Sequence, residues 1–161
     1  MATRRLLSFL EQNKVGYRLA THRTAYSAMR TAEEAHVKGA EMAKSVALMV
    51  DGNPMLAVVP ATMSVSFKRM KELLGAREVS LLDERKLDEY FPDCETGAMP
   101  PVGAMYHMEV VADSELEYDD RISFNAGTHK EIVTMNFQDW RRLVHPRFAA
   151  IHRSGLGELT I

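Results

Sequence analysis

The stretch AKSVALMVDGNPMLAVVP, residues 43–60, decides how the chain is read. Two apolar runs, Ser45–Val50 and Met55–Val59, flank DGNP. Asp-Gly is a favoured dipeptide for a tight two-residue turn, so a β-hairpin is expected here. Both runs are almost continuously apolar and do not alternate. Both faces of the hairpin are therefore expected to be covered.

Working outward, Leu6, Leu7 and Leu10 fall on one helical stripe with Phe9 beside it, which predicts an amphipathic helix over Thr3–Asn13 ending near Gly16. Tyr17–Thr21 reads as a short strand. TAEEAHVKG, 31–39, reads as a short helix with Thr31 as N-cap, Glu34 completing a capping box and Gly39 closing it. After the hairpin, SVSFKRMKELLGA predicts a helix capped by Ser64 or Ser66 and ended by Gly75. EVSLL is a short strand, and DERKLDEYF a helix capped by Asp83. ETGAMPPVGAMY is a Gly/Pro loop. HMEVVADSEL, RISFNAG and EIVTMNF are strands. QDWRRLVH closes the pattern as a helix with Trp140 and Leu143 inward. Residues 146–161 form a weakly patterned tail. The order mixes helices with hairpins and lacks regular strand–helix alternation, which predicts an α+β fold with a mixed, largely antiparallel sheet.

The 161 residues favour a single domain, 1–161, and 46% hydrophobic content suffices for a core. A net charge of −2 gives no footprint for duplex DNA. The only cysteine, Cys94, permits no internal disulfide and suits a reducing, cytoplasmic setting. Asp93 and Glu95 beside it are expected to raise its pKa, which disfavours a nucleophilic role. The apolar run at the N-terminus breaks at Ser8 and Glu11, too soon for the apolar region of a secretory signal. No segment reaches the roughly 18 apolar residues of a membrane span. The sequence has no phosphate-binding glycine loop, no H-E-x-x-H and no CxxC pair, so no cofactor and no metal site are expected.

Three stretches carry candidate chemistry, and each has an ordinary reading beside it. Lys44 opens a buried strand. Its ammonium either reaches solvent at the strand end or stands at the mouth of a cavity as a point charge. Gly97–Gly103, GAMPPVG, is either a rigid connection or a loop that presents backbone groups at fixed positions. Ala126–His129, within FNAGTHKEI, is either a hairpin turn or a binding turn in which Gly127 permits close approach and His129 exchanges hydrogen bonds.

AKSVALMVDG, TGAMPPVG and FNAGTHKEI, in that order and at those separations, resemble the YbaK/EbsC family, which is similar to the editing (insertion) domain of bacterial prolyl-tRNA synthetases. The resemblance covers roughly residues 15–144. It implies a β-barrel-like sheet surrounded by helices and an aminoacyl-tRNA deacylase acting on mischarged tRNA, in many members proline tRNA carrying Ala or Cys. The key lysine of the family maps onto Lys44, its glycine-proline loop onto Gly97, Pro100, Pro101 and Gly103, and its turn onto Ala126, Gly127, Thr128 and His129. Lys44, His129 and Gly127 are thereby implied as catalytic. Ser45 stands where relatives often carry Thr or Asn, and Val102 where they often carry Phe, so these two positions bear on which amino acid is removed.

The partners so implied are the acceptor end of a mischarged tRNA and a prolyl-tRNA synthetase, with no membrane. The oligomeric state is not determined. Arg4, Arg5, Lys14, Arg18, Arg23 and Arg30, and Lys68, Arg69 and Lys71, supply basic faces for a single-stranded acceptor end, or are ordinary solvated surface. The competing readings are a non-catalytic nucleotide- or aminoacyl-tRNA-binding module, and a deacylase for a tRNA other than proline tRNA.

Overall fold

The computed structural model describes residues 2–153. The chain opens with helix α1 (Ala2–Gln12) and strand β1 (Tyr17–Thr21), followed by α2 (Ala28–Glu34) and the hairpin β2 (Ala43–Val50) and β3 (Asn53–Pro60). Next come α3 (Phe67–Leu74), β4 (Val79–Leu81), α4 (Glu84–Tyr90), β5 (Glu109–Asp113), β6 (Arg121–Asn125), β7 (Glu131–Asn136), α5 (Phe137–Val144) and β8 (Arg147–Ala149). The hairpin forms as its sequence demands. Asp51 and Gly52 both take positive φ, at 47° and 85°, which gives the turn the twist of the strands it joins. The Asp51 carboxylate accepts the N–H groups of Arg77 and Glu78. Those bonds, Glu78 first, hold its pKa below the ordinary carboxylate value.

The strands form two sheets, one in the order β1-β7-β6 and one in the order β4-β2-β3-β5-β8. The pairings β1–β7, β6–β7, β2–β3 and β2–β4 are antiparallel, whereas β3–β5 and β5–β8 are parallel. The fold is α+β and mixed, largely antiparallel, with no closed barrel among the described residues. A single parallel bridge, Met42 to Ser123, links the two sheets. Strand β3 is covered on both faces. Leu56 and Val58 enter the main core with Leu6 and Leu10 of α1 and Trp140 of α5, while Met55, Ala57 and Val59 pack with Met70 of α3. Strand β2 is less completely covered, with Lys44, Ser45 and Val46 only half-buried.

Two expectations need correction. Thr31 does not cap α2. The helix starts earlier because the Ser27 hydroxyl accepts the Arg30 N–H at 3.1 Å, and Thr31 lies inside it, donating its own hydroxyl to the Ser27 carbonyl at 2.9 Å. Glu34 therefore ends the helix and completes no capping box, and Gly39 lies beyond it. The described part of the C-terminal tail is built into the fold. Arg147–Ala149 extends the larger sheet, and Ile151 is fully buried. The fully buried Asp113 carboxylate holds this segment by accepting the N–H groups of Glu115, Ile151 and His152 and contacting the His152 Nδ1 at 2.9 Å. The rest of the tail, residues 154–161, lies outside the described residues.

Asp113→Ala leaves these buried donors unpaired. It is expected to lower unfolding free energy by about 3 kcal/mol, read as a fall in the urea midpoint.

Candidate active site

The turn after β6 and the loop after α4 are stitched together. Gly127 donates its N–H to the Ala98 carbonyl at 3.0 Å, and the Glu95 N–H donates to the Gly127 carbonyl at 2.9 Å. The His129 N–H donates to the Glu95 carboxylate at 2.7 Å, and the His129 Nε2 lies 2.7 Å from the Thr96 carbonyl oxygen. A carbonyl only accepts, so Nε2 carries a proton. In the neutral ring Nδ1 is then a bare acceptor, and it is buried with no partner. The loop 22–25 lies over this turn, with His22 donating to the Lys130 carbonyl and Ala25 to the His129 carbonyl. Tyr26 follows it, with its ring 4.9 Å from that of His129 and 79% exposed.

Gly127 is glycine for two reasons. Its φ is +100°, and a Cβ there would overlap Ala2 of α1. Its N–H is also occupied, so it is not an available oxyanion donor. The N–H groups of Gly97 and Thr128 have no hydrogen-bond partner among the described residues. Gly97 is exposed with φ +84° and faces the edge of the His129 ring.

The remainder of the loop turns inward. Pro100, Pro101, Val102 and Gly103 are buried. Trp140 fixes the loop by donating its indole N–H to the Pro101 carbonyl at 3.1 Å. Val102 packs in the main core with Ala126, and a Cβ on Gly103 would overlap the Met108 carbonyl. Thr128 is half-buried and donates its hydroxyl to the Glu131 carboxylate.

The third segment reaches the same end of the molecule along a different strand. Past the Met42–Ser123 bridge, β2 leads to Lys44 and β6 leads to Asn125 and then Ala126. Lys44 is half-buried, and its ammonium has no ion pair or hydrogen bond among the described residues. Burial alone lowers its pKa from the ordinary lysine value. Ser45 Oγ and Asn125 Oδ1 are buried without partners. Three clefts, of about 430, 410 and 380 Å³, lie against α1 and the strands beside it, and their walls include neither Lys44 nor His129.

Cys94 is a thiol at neutral pH. Burial, ahead of the neighbouring Asp93, pushes its pKa up to about 11, while the hydrogen bond with Tyr106 opposes the shift. The direction agrees with the expectation, but the leading cause is desolvation. Sequence reasoning missed Tyr26, Asn125, His22, Glu95 and Thr96. An exposed aromatic amid the charges of HRTAYSAMR was the one available signal for Tyr26. Nothing local marked the carbonyl of Thr96 as a histidine partner.

The profile of the aminoacyl-tRNA editing domain matches residues 22–143, and the chain belongs to that family. Among solved structures, a candidate trans-editing enzyme for prolyl tRNA synthetase is 16% identical with a TM-score of 0.85, over 95% of this chain and 98% of that one. A scaffold from computational epitope backbone grafting is 19% identical with a TM-score of 0.84, over 96% and 98%. A candidate signal transduction protein from Marinobacter aquaeolei VT8 is 13% identical with a TM-score of 0.70, over 91% of this chain and 30% of that one. At these identities the structures establish likeness of fold. No curated protein matches the chain.

Gly127→Ala is expected to cost about 1–3 kcal/mol through its φ and the displaced α1 terminus, read as a lower melting temperature. Cys94 should react with iodoacetamide at pH 8 far more slowly than free cysteine, because its thiolate fraction is suppressed.

Proposed function

We propose that the protein hydrolyses the ester bond of mischarged aminoacyl-tRNA in trans, acting as an editing deacylase on proline tRNA carrying a small wrong amino acid such as Ala or Cys. The reading is carried by one observation: the loop and the turn that family resemblance singles out are joined by four hydrogen bonds, and β2 of the adjoining sheet, bridged to β6 at Met42 and Ser123, bears an unpaired lysine. Family membership supports the editing reaction. The similar solved structure described as a candidate trans-editing enzyme for prolyl tRNA synthetase supports the choice of tRNA.

Aminoacyl esters are activated, so positioning and electrostatics suffice. Lys44 holds the terminal phosphate or ribose oxygens. Its half-buried ammonium makes this charge stronger than a solvated one. The N–H groups of Gly97 and Thr128 are the donors placed for the developing oxyanion. His129 Nδ1 accepts a hydrogen bond from the attacking water and aims it, while the Thr96 carbonyl fixes the tautomer that leaves this nitrogen free. Ser45 borders the acyl pocket, while Ala126 and the buried Pro100–Gly103 segment, Val102 included, lie in the core behind it and keep its wall rigid. Tyr26 offers an exposed aromatic face beside His129 for a base of the acceptor end. Arg18 and Arg23, both exposed, lie in the chain just before it.

A second site restricted by size has a physical rationale. A hydrophobic pocket separates ligands one methylene apart by only about 1–3 kcal/mol, so a synthetase passes some errors that a smaller hydrolytic pocket then removes.

The test is amino-acid release from a panel of mischarged tRNAs. Release of Ala or Cys from proline tRNA is expected, and Lys44→Ala should slow it about 100-fold. Binding without release from any tRNA would instead make the protein a binding module. Release from a different tRNA alone would overturn the proline assignment. The depressed pKa of Lys44 sets the sign of the pH effect: the ammonium is present below that pKa and lost above it. The ratio of wild-type to Lys44→Ala rates should therefore fall as pH rises, and should start to fall below the titration range of an ordinary lysine.

A further inference from the structure

Asn125 is the last residue of β6, and its side-chain Oδ1 is buried with no hydrogen-bond partner. A buried acceptor left unpaired is costly, and native structures rarely keep one without a reason.

Its surroundings supply the reason. Asn125 lies opposite Ile132 on β7, so the two side chains share a face of the smaller sheet. Ile132 packs in one apolar cluster with Met42. Lys44 stands two residues beyond Met42 on β2, on the same face. Continuing the Met42–Ser123 bridge by two residues would pair Lys44 with Asn125, yet the pairing stops after one bridge. On this edge of β2, β4 pairs only with Leu48–Val50, and the Leu82 N–H reaches the Ala47 carbonyl. Among the described residues, no strand pairs with residues 44–46 on that edge. The pairing between the two sheets ends at this point, where one unpaired cation and one unpaired neutral acceptor stand on the same face.

The charge pattern selects the donor. An ammonium brought to Asn125 would face the Lys44 ammonium and be repelled. A neutral hydroxyl would not. On an aminoacylated terminal adenosine, the neutral donor nearest the scissile bond is the free ribose hydroxyl beside the ester. We infer that Asn125 is a substrate-positioning residue whose Oδ1 accepts a hydrogen bond from this hydroxyl. The contact holds the ribose where the pairing of the sheets ends while Lys44 faces the oxygens of the same nucleotide. This rests on the deacylase reading above.

A double comparison tests it. Single-turnover deacylation is measured for the wild-type protein, Asn125→Ala and Asn125→Asp, each on mischarged tRNA ending in adenosine and on its counterpart lacking the free hydroxyl. In parallel, binding is measured for an amide-linked, non-hydrolysable aminoacyl-adenosine and its deoxy form, so that slow turnover on the deoxy substrate does not hide the result. Asn125→Ala should lose about tenfold in rate and affinity on the hydroxyl-bearing ligand, and nothing further on the deoxy ligand. Asn125→Asp, which keeps an acceptor and the shape, should retain binding that depends on the hydroxyl. An equal loss on both ligands would mean a structural role and overturn the inference, as would no loss on either. If the wild-type protein releases amino acid normally and only this pattern fails, the deacylase reading stands without Asn125. If the wild-type protein releases none, both fall together.

Discussion

The turn at Gly127 is the constraint around which the site is arranged. Its positive φ reverses the chain after β6, and its missing side chain lets α1 close over it. Its peptide groups bond to Ala98 and Glu95 on either side of Gly97. Those contacts bring the His129 ring against the Thr96 carbonyl, which in turn decides which ring nitrogen is left bare. One backbone conformation therefore fixes a loop, a helix terminus and a histidine tautomer together.

A second constraint comes from the sheets. Among the described residues they are joined by one bridge at Met42 and Ser123, and the pairing goes no further. Where the pairing ends, side-chain polar groups of Lys44, Ser45 and Asn125 have no partners among the described residues. His129 Nδ1 and His22 Nε2 are also unpartnered, whereas other buried polar groups among the described residues are satisfied. Asp113 accepts three backbone N–H groups, and the Trp140 indole N–H reaches a carbonyl. The contrast concentrates unmet hydrogen-bonding capacity at one end of the molecule, which is how a binding site differs from a core.

Burial also redistributes roles within the motifs. The glycine-proline loop divides into an exposed part at Gly97 and a buried part from Pro100 to Gly103. Only the first presents backbone groups to a ligand. The second supports it, with Gly103 held against the Met108 carbonyl and Val102 in the core. Cys94 shows the same logic in reverse: desolvation keeps it a thiol and removes it from the chemistry.

Much of the architecture was legible in the residues. The Asp51-Gly52 turn, the apolar runs beside it, the Ser66 and Asp83 caps and the Gly75 stop are local signals, and local energetics decide them. Thr31 misled because two hydroxyl residues compete for one helix start, and the winner depends on which backbone N–H each can reach. The strand β8 was invisible because its three residues gain their pairing from β5, far away in the chain. The order of the motifs pointed to the family, but no sequence signal could show that Gly127 hands its N–H to Ala98 or that the pairing of β2 with β6 ends beside Lys44. Those are contacts between distant segments, set by how the sheets twist and where the core closes. The chain itself determined which elements form and which residues are fit for the chemistry, whereas the tertiary structure alone decided which of their polar atoms are left free to perform it.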